Sequence, residues 1–194
     1  MNRLITSAAA LLLLTTAAQA QRPKFSIQGA FGFNGTIDSE AGGQSNDEDL
    51  ESDLGLMASI EFQLSKEFRL GGRLAYNGAS VDVEGSSQSG GDVTALDAGL
   101  WARFVFLPGK FEAFGAGGLG FSSLTLNPEG AGSDLEGTGF HFLAGVGASF
   151  PVAQGLRATG GLYYMIHNAD LEADGGTEVA VSLNRALLMA GVMF

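Results

Sequence analysis

Cysteine is missing altogether, which excludes a disulfide scaffold, a cysteine-ligated zinc or iron–sulfur centre and a thiol enzyme. Basic residues are scarce: 10 Lys and Arg stand against 21 Asp and Glu, for a formal net charge of -11. Nucleic-acid binders neutralise phosphates with Lys and Arg, so that class is excluded as well. Hydrophobic residues make up 45% of the chain, yet beyond the N-terminus no long run is apolar. A membrane helix needs about 18 or more consecutive apolar residues, so a helical membrane bundle is excluded. Proline is rare, at 4 residues, whereas glycine reaches 30. That glycine share is roughly twice the usual one, but it carries no G-X-Y period, so collagen is excluded too. A length of 194 residues suits one domain.

Residues 1–20 form an address. Arg3 supplies a positive start, Leu4 to Leu14 a short apolar core, and Ala18-Gln19-Ala20 an A-x-A cleavage site. The reading is a cleaved signal peptide over 1–20 and an exported domain over 21–194. With no Cys at the cleavage site, an acylated lipoprotein is excluded.

The rest alternates with period two, the mark of a strand. Phe25, Ile27, Gly29, Phe31 and Phe33 share one face; Leu54, Leu56, Ala58, Ile60 and Phe62 another. The same holds for Phe68 to Tyr76, Leu96 to Phe106, Phe140 to Phe150, Leu156 to Ile166 and Ala186 to Phe194. From Phe111 to Thr125 glycines blur the faces; placing Phe111, Ala113, Leu119 and Phe121 outward puts Glu112 inward. That makes eight strands of about ten residues, as a tilted bilayer crossing requires. Residues 65–67, 108–110 and 151–155 are short turns, whereas 36–53, 80–92, 127–139 and 169–178 are expected as long polar loops. The fold class is therefore all-β, an eight-stranded antiparallel up-and-down transmembrane β-barrel.

Charges and aromatics orient it. One face of every strand is apolar; the other mixes small residues with Glu61, Arg69, Arg73, Asp97, Arg103, Glu112, Arg157 and Arg185. An Arg at mid-membrane on the lipid face costs about 2–4 kcal/mol, so these residues should face the lumen. A soluble barrel with its apolar face inside also alternates and stays as the rival fold. Phenylalanine favours the membrane reading. Phe25, Phe68 and Phe111 start strands beside the short turns, while Phe62, Phe106, Phe150 and Phe194 end strands there. Such a ring is a membrane-interface girdle.

The terminal pattern Ala186-x-Leu188-x-Ala190-x-Val192-x-Phe194 resembles the C-terminal strand by which outer-membrane barrels are recognised for insertion. Along its length the chain resembles small outer-membrane β-barrels of the OmpA/OmpX-like, porin-like type. The resemblance implies a Gram-negative outer membrane, contact with lipid and lipopolysaccharide, and recognition by the barrel-assembly machinery with Phe194 as insertion signal. It also implies a monomer with a structural or surface-interaction role and no cofactor. A narrow porin-like channel for ions or small solutes is the alternative. A lipid A-modifying enzyme is disfavoured: those eight-stranded enzymes place a Ser two residues after a His, and here His167 is followed by Asn168 and Ala169.

An eight-stranded lumen is just wide enough for side chains to fill it. Glu61 falls between Arg69 and Arg73 in height, within reach of a diagonal pair, and the lumen charges are expected to form a plugging ion-pair network, with small residues in the remaining space. No apolar lining stands out. Most of the acids, including Asp47, Asp49, Asp53, Asp170, Glu172 and Asp174, fall at the long-loop end, which should face outward from the cell. Their plainest role is a solvated, repulsive surface. Among them Asp47, Asp49, Asp170, Glu172 and Asp174 are weak candidates for divalent cations, although the calcium-loop pattern opening at Asp170 has Val181 at its twelfth position. Gly115-Ala116-Gly117-Gly118-Leu119-Gly120 matches a dinucleotide-binding motif in letters only, since no helix follows. His141 and His167, the only histidines, cannot make a three-His metal site and are expected to line the lumen.

Overall fold

A computed structural model of the chain describes residues 23–41, 44–82, 89–128, 134–172 and 178–194; the expected signal peptide lies outside them. Eight strands follow in order: β1 (Lys24–Ala41), β2 (Gln44–Gln63), β3 (Phe68–Asp82), β4 (Ser89–Leu107), β5 (Glu112–Pro128), β6 (Leu135–Ala153), β7 (Leu156–Glu172) and β8 (Glu178–Met193). Each pairs antiparallel with the next, and β1 pairs with β8, so the sheet is a closed barrel. At the seam the Phe25 N–H donates to the Phe194 carbonyl at 2.8 Å, and the Phe194 N–H to the Phe25 carbonyl at 2.9 Å. Their rings stack with centroids 6.1 Å apart. Closure leaves no sheet edge, and hydrocarbon has no group that could satisfy one.

The short-turn end is built from local chemistry. The Ser65 hydroxyl accepts hydrogen bonds from the N–H groups of Glu67 and Phe68, at 3.2 and 3.0 Å. Gly155 turns between β6 and β7 at φ +76°, a conformation that costs glycine nothing.

The strands are far longer than the ten residues the sequence suggests. They run from 15 residues in β3 to 20 in β2, up to about twice what a bilayer crossing needs. Segments expected as loops are largely strand: β1 continues to Ala41, β2 starts at Gln44, β7 reaches Glu172 and β8 starts at Glu178. The physical reason is a change in which face is apolar. Toward the short-turn end the apolar residues point outward, as Leu56, Leu100, Leu119 and Leu188 do, all more than half exposed. Toward the acidic end Ile37, Leu50, Val81, Val93, Leu124, Leu171, Val181 and Leu183 point inward and are buried together. Outward neighbours there are polar, among them Glu40, Asp92, Asp170 and Glu172, all exposed. Such a wall suits water outside and a dry core inside, so the barrel continues beyond the membrane.

Two β-bulges help the switch. The β1–β8 register shifts between Phe33 and Thr36, where Asn34 takes φ +50°, and the β2–β3 register shifts between Leu50 and Asp53. One added residue turns every later side chain to the opposite face. Phe33 therefore points outward while Ile37 points inward. Because Leu183 sits in the inner apolar cluster and Ser182 faces out, Leu183→Lys should lower stability by about 3–5 kcal/mol, the cost of an unpaired buried charge. Ser182→Lys, opposite Asp38 in the ladder, should stay within about 0.5 kcal/mol. Urea unfolding of the barrel in detergent micelles measures both.

Candidate functional site

The lumen is filled in alternating levels. Along β4 the inward residues run Val93, Ala95, Asp97, Gly99, Trp101, Arg103; along β8 they run Val181, Leu183, Arg185, Leu187, Met189. Apolar, polar and apolar levels follow each other in the same order on both strands, and β4 continues into a lower polar level at Arg103.

In the lower polar level Glu61 of β2 pairs with Arg103 of β4 at 2.8 Å and accepts a hydrogen bond from the Trp101 indole at 2.9 Å. The Arg103 guanidinium also lies 4.0 Å over the Phe114 ring, a cation–π contact. Arg69 of β3 donates to Glu112 of β5 at 2.8 Å, and Ser149 of β6 donates to the same carboxylate at 3.1 Å. Arg157 stands at the rim, partly exposed, 3.7 Å from Glu112 and donating to the Lys110 and Ser149 carbonyls.

The pairing differs from the expected one. Glu61 does sit between Arg69 and Arg73 in register, because Gln63 faces Arg69 and Ser59 faces Arg73. Its carboxylate nevertheless reaches past β3 to Arg103. Inward side chains of a narrow barrel converge on the axis, so groups two strands apart meet as easily as ladder neighbours. Arg69 skips a strand in the same way to reach Glu112.

The upper polar level draws on β2 through β8. Asp97 is its centre. Asn77 donates to Asp97 Oδ2 at 3.2 Å, Ser122 donates to Oδ1 at 2.7 Å, and His167 Nε2 lies 2.9 Å from Oδ1. His141 Nδ1 is 2.9 Å from the Ser122 hydroxyl and 3.7 Å from Asp97 Oδ1. Beside this group Arg185 pairs with Asp53. Asp53 is therefore a lumen residue and not a loop residue: it continues the inward alternation of Glu61, Ser59, Met57 and Gly55, and the bulge beyond it turns Leu50 inward. Arg73, also buried, touches the Met57 sulfur at 4.0 Å and pairs with no described carboxylate. Ser122, His141 and Asp97 have the composition of a hydrolytic triad but not its geometry. Asp97 engages the serine hydroxyl and approaches the same ring nitrogen, instead of holding the far one.

Between the polar levels lies an apolar one: Met57, Trp101, Phe114, Leu143, Tyr163, Met165, Leu187 and Met189 are almost wholly buried there. Charged and small residues were expected to fill this space, and large side chains fill it with them. Glycine makes the room. A Cβ on Gly147 would lie 2.6 Å from Phe114 Cζ, and one on Gly145 would collide with the Tyr163 ring. The sequence signal was present in inward Trp101 and Tyr163, but which glycine cradles which ring depends on register.

Outside, Phe25, Phe68, Phe106, Phe111, Phe150 and Phe194 are exposed near the short turns, and Phe62 is half-buried. A second set, Phe33, Tyr76, Phe121, Phe140 and Tyr164, is exposed toward the other end, and Phe121 packs against Phe140 at 4.9 Å. Among the described residues, no charged residue stands on the outward positions between the two sets. Of the cation candidates, Asp49 is exposed on β2, and Asp170 and Glu172 are exposed on β7; Asp174 lies outside the described residues, and for Asp47 only the backbone is described. A groove of about 440 Å³ on the outer wall at the acidic end is lined by Asp38, Glu40, Phe140 and Asp170 among others.

Residues 6–194 match the family model described as outer membrane protein beta-barrel domain. Among solved structures the chain is similar to the outer membrane protein OprG from Pseudomonas aeruginosa, at 17% identity over 89% of this chain and 95% of that one, with a TM-score of 0.60. It is similar to Neisserial surface protein A at 15% identity, covering 89% and 98%, TM-score 0.51. It is also similar to the outer membrane protein AlkL in DMPC bilayers at 12% identity, covering 87% and 89%, TM-score 0.50. At these identities the likeness is one of fold. No curated protein matches the chain.

The lower ion pair yields a direct test. Glu61→Leu strands the Arg103 charge in the lumen and should cost about 3–5 kcal/mol, whereas the double variant Glu61→Leu/Arg103→Met should recover most of that loss. A double-mutant cycle from urea unfolding gives the coupling.

Proposed function

This chain belongs to the outer membrane protein β-barrel domain family and resides in the cell outer membrane, and from that premise we propose that it is a closed, non-conducting barrel with a structural and surface-interaction role. The observation that carries the reading is the filled lumen. A conducting path must pass four levels, and each is occupied: aliphatic residues around Leu183, the Asp97 cluster, the Trp101–Tyr163 level and the Glu61–Arg103 and Arg69–Glu112 pairs. Trp101, Phe114, Leu143, Met165 and Leu183 retain no exposed surface. Paired charges held by hydrogen bonds at two levels do not move aside cheaply, because breaking one leaves an uncompensated buried charge.

The outer part of the wall supports the surface role. There the barrel rises beyond the upper aromatic set and presents Glu40, Asp49, Asp92, Glu136, Asp170 and Glu172 to solvent. An acidic collar beside anionic lipopolysaccharide repels it unless divalent cations bridge the two, and carboxylates are suitable ligands for such hard cations. The chemistry of the barrel is one of presentation and not catalysis. Its assembly would proceed through the apolar β8 pattern that ends at Phe194.

Planar-bilayer recording tests the closed state. Purified barrel should add no steady conductance at neutral pH. A large, persistent conductance that follows protein concentration would support the narrow porin-like alternative instead.

A further inference from the structure

Among the described residues, Asp97, His141 and His167 are the only three side chains placed to share a metal ion. They come from β4, β6 and β7, and all three are buried. His141 and His167 face each other directly in the β6–β7 register, with ring centroids 5.8 Å apart and planes at 57°. Asp97 closes the group: its Oδ1 is 2.9 Å from His167 Nε2 and 3.7 Å from His141 Nδ1. All the donor atoms fall within 4.8 Å of one another.

These separations match a coordination sphere. With bonds of about 2.1 Å, ligand atoms on a tetrahedral ion are about 3.4 Å apart. The Ser122 hydroxyl lies beside the group, 2.7 Å from Asp97 Oδ1 and 2.9 Å from His141 Nδ1, so that it or a water would complete the sphere. Asn77 already fixes the carboxylate through its other oxygen, the kind of outer support that orients a metal ligand. We propose that Asp97, His141 and His167 form a lumenal binding site for a divalent transition-metal ion of the zinc class.

The donor set chooses the ion. Two imidazoles and one carboxylate suit zinc, cobalt or copper, whereas calcium and magnesium take oxygen ligands. Charge refines the choice. Asp53 and Asp97 already balance Arg73 and Arg185 at this level, so a dipositive ion arrives with its charge largely uncompensated. An ion that ionises its bound water near neutral pH brings its own compensation, which again favours the zinc class. Proton balance is simple: each neutral imidazole moves its proton from the ligating nitrogen to the far one, and no proton is lost from the rings. The far nitrogens, His141 Nε2 and His167 Nδ1, are buried without a protein partner. Ligating histidines usually have one, and each missing partner weakens binding about 10–100-fold. The site should therefore bind less tightly than a fully supported structural zinc centre. It lies between two apolar levels, so the ion is captured as the barrel closes and leaves slowly.

The test uses the full chain unfolded in urea and refolded into detergent micelles with Co²⁺ as probe. After desalting, the folded barrel should retain a single cobalt per chain, with the visible absorption of a low-coordinate nitrogen–oxygen site. His141→Gln and His167→Gln should each lose it, whereas Asp49→Asn and Asp170→Asn, exposed on the outer wall, should keep it. Absence of cobalt from the folded wild-type barrel, or equal retention in both histidine variants, would overturn the proposal. If neither histidine variant folds, the wild-type barrel with ¹⁵N-labelled histidine decides. Shifts of both ring systems on adding Zn²⁺ during refolding support the site, and unchanged rings overturn it.

Discussion

Everything in this barrel depends on the hydrogen bonds that join β1 to β8. Hydrocarbon accepts no N–H and donates to no carbonyl, so a sheet with a free edge cannot stay in the membrane. The paired bonds between Phe25 and Phe194 at one end, and the ladder from Ser26–Met193 up to Glu40–Ala180, remove that edge. Closing after eight strands then fixes the size of the interior, which side chains can fill. Whatever points inward must therefore pack, and most of the lumen charges meet a partner across the axis. The skipped-strand pairs Glu61–Arg103 and Arg69–Glu112 are consequences of closure.

One wall serves two solvents. Within the membrane the apolar residues are outside, and the interior takes charges, aromatics and glycine. Beyond it the apolar residues turn inside and acids face water. The bulges at Asn34 and after Leu50 carry out the exchange on β1 and β2, while β3, β4 and β8 keep their phase and change composition. The same backbone ladder thus runs through both regions without interruption. It also explains the segregation of charge: acids crowd the outer wall at one end, most bases lie in the lumen or at the short turns, and the belt between stays neutral.

The strand count, the outward Phe positions and the inward direction of Glu112 were readable from period-two alternation alone. Strand length was not. Ile37, Leu50 and Leu171 are isolated apolar residues in polar, acidic surroundings, and a search for outward apolar residues passes over them because here they point inward. Asp53 was misplaced because the strand was ended at Leu54, although Asp53 keeps the inward phase of Gly55, Met57, Ser59 and Glu61; only beyond it does a bulge reverse the face, at Leu50. The partner of Glu61 could not be read because ladder register ranks neighbours along the wall, whereas lumen contacts form across it. The Asp97–His141–His167 group needed one fact absent from the sequence, that His141 and His167 are register partners. Two histidines 26 positions apart look unrelated until that ladder is drawn.

The central claim is that the apolar face reverses at the outer membrane boundary while the barrel stays closed and filled. A spin-label scan along residues 180–194 in lipid bilayers tests it most directly, with collisions against oxygen reporting lipid and against a water-soluble nickel chelate reporting water. Positions 186, 188, 190 and 192 should meet oxygen, 180, 182 and 184 the chelate, and 181, 183, 185 and 187 neither. Oxygen contact at 181 and 183, or chelate contact at 185 and 187, would contradict the account: the first would place lipid on the inner face, and the second would put open water in the lumen.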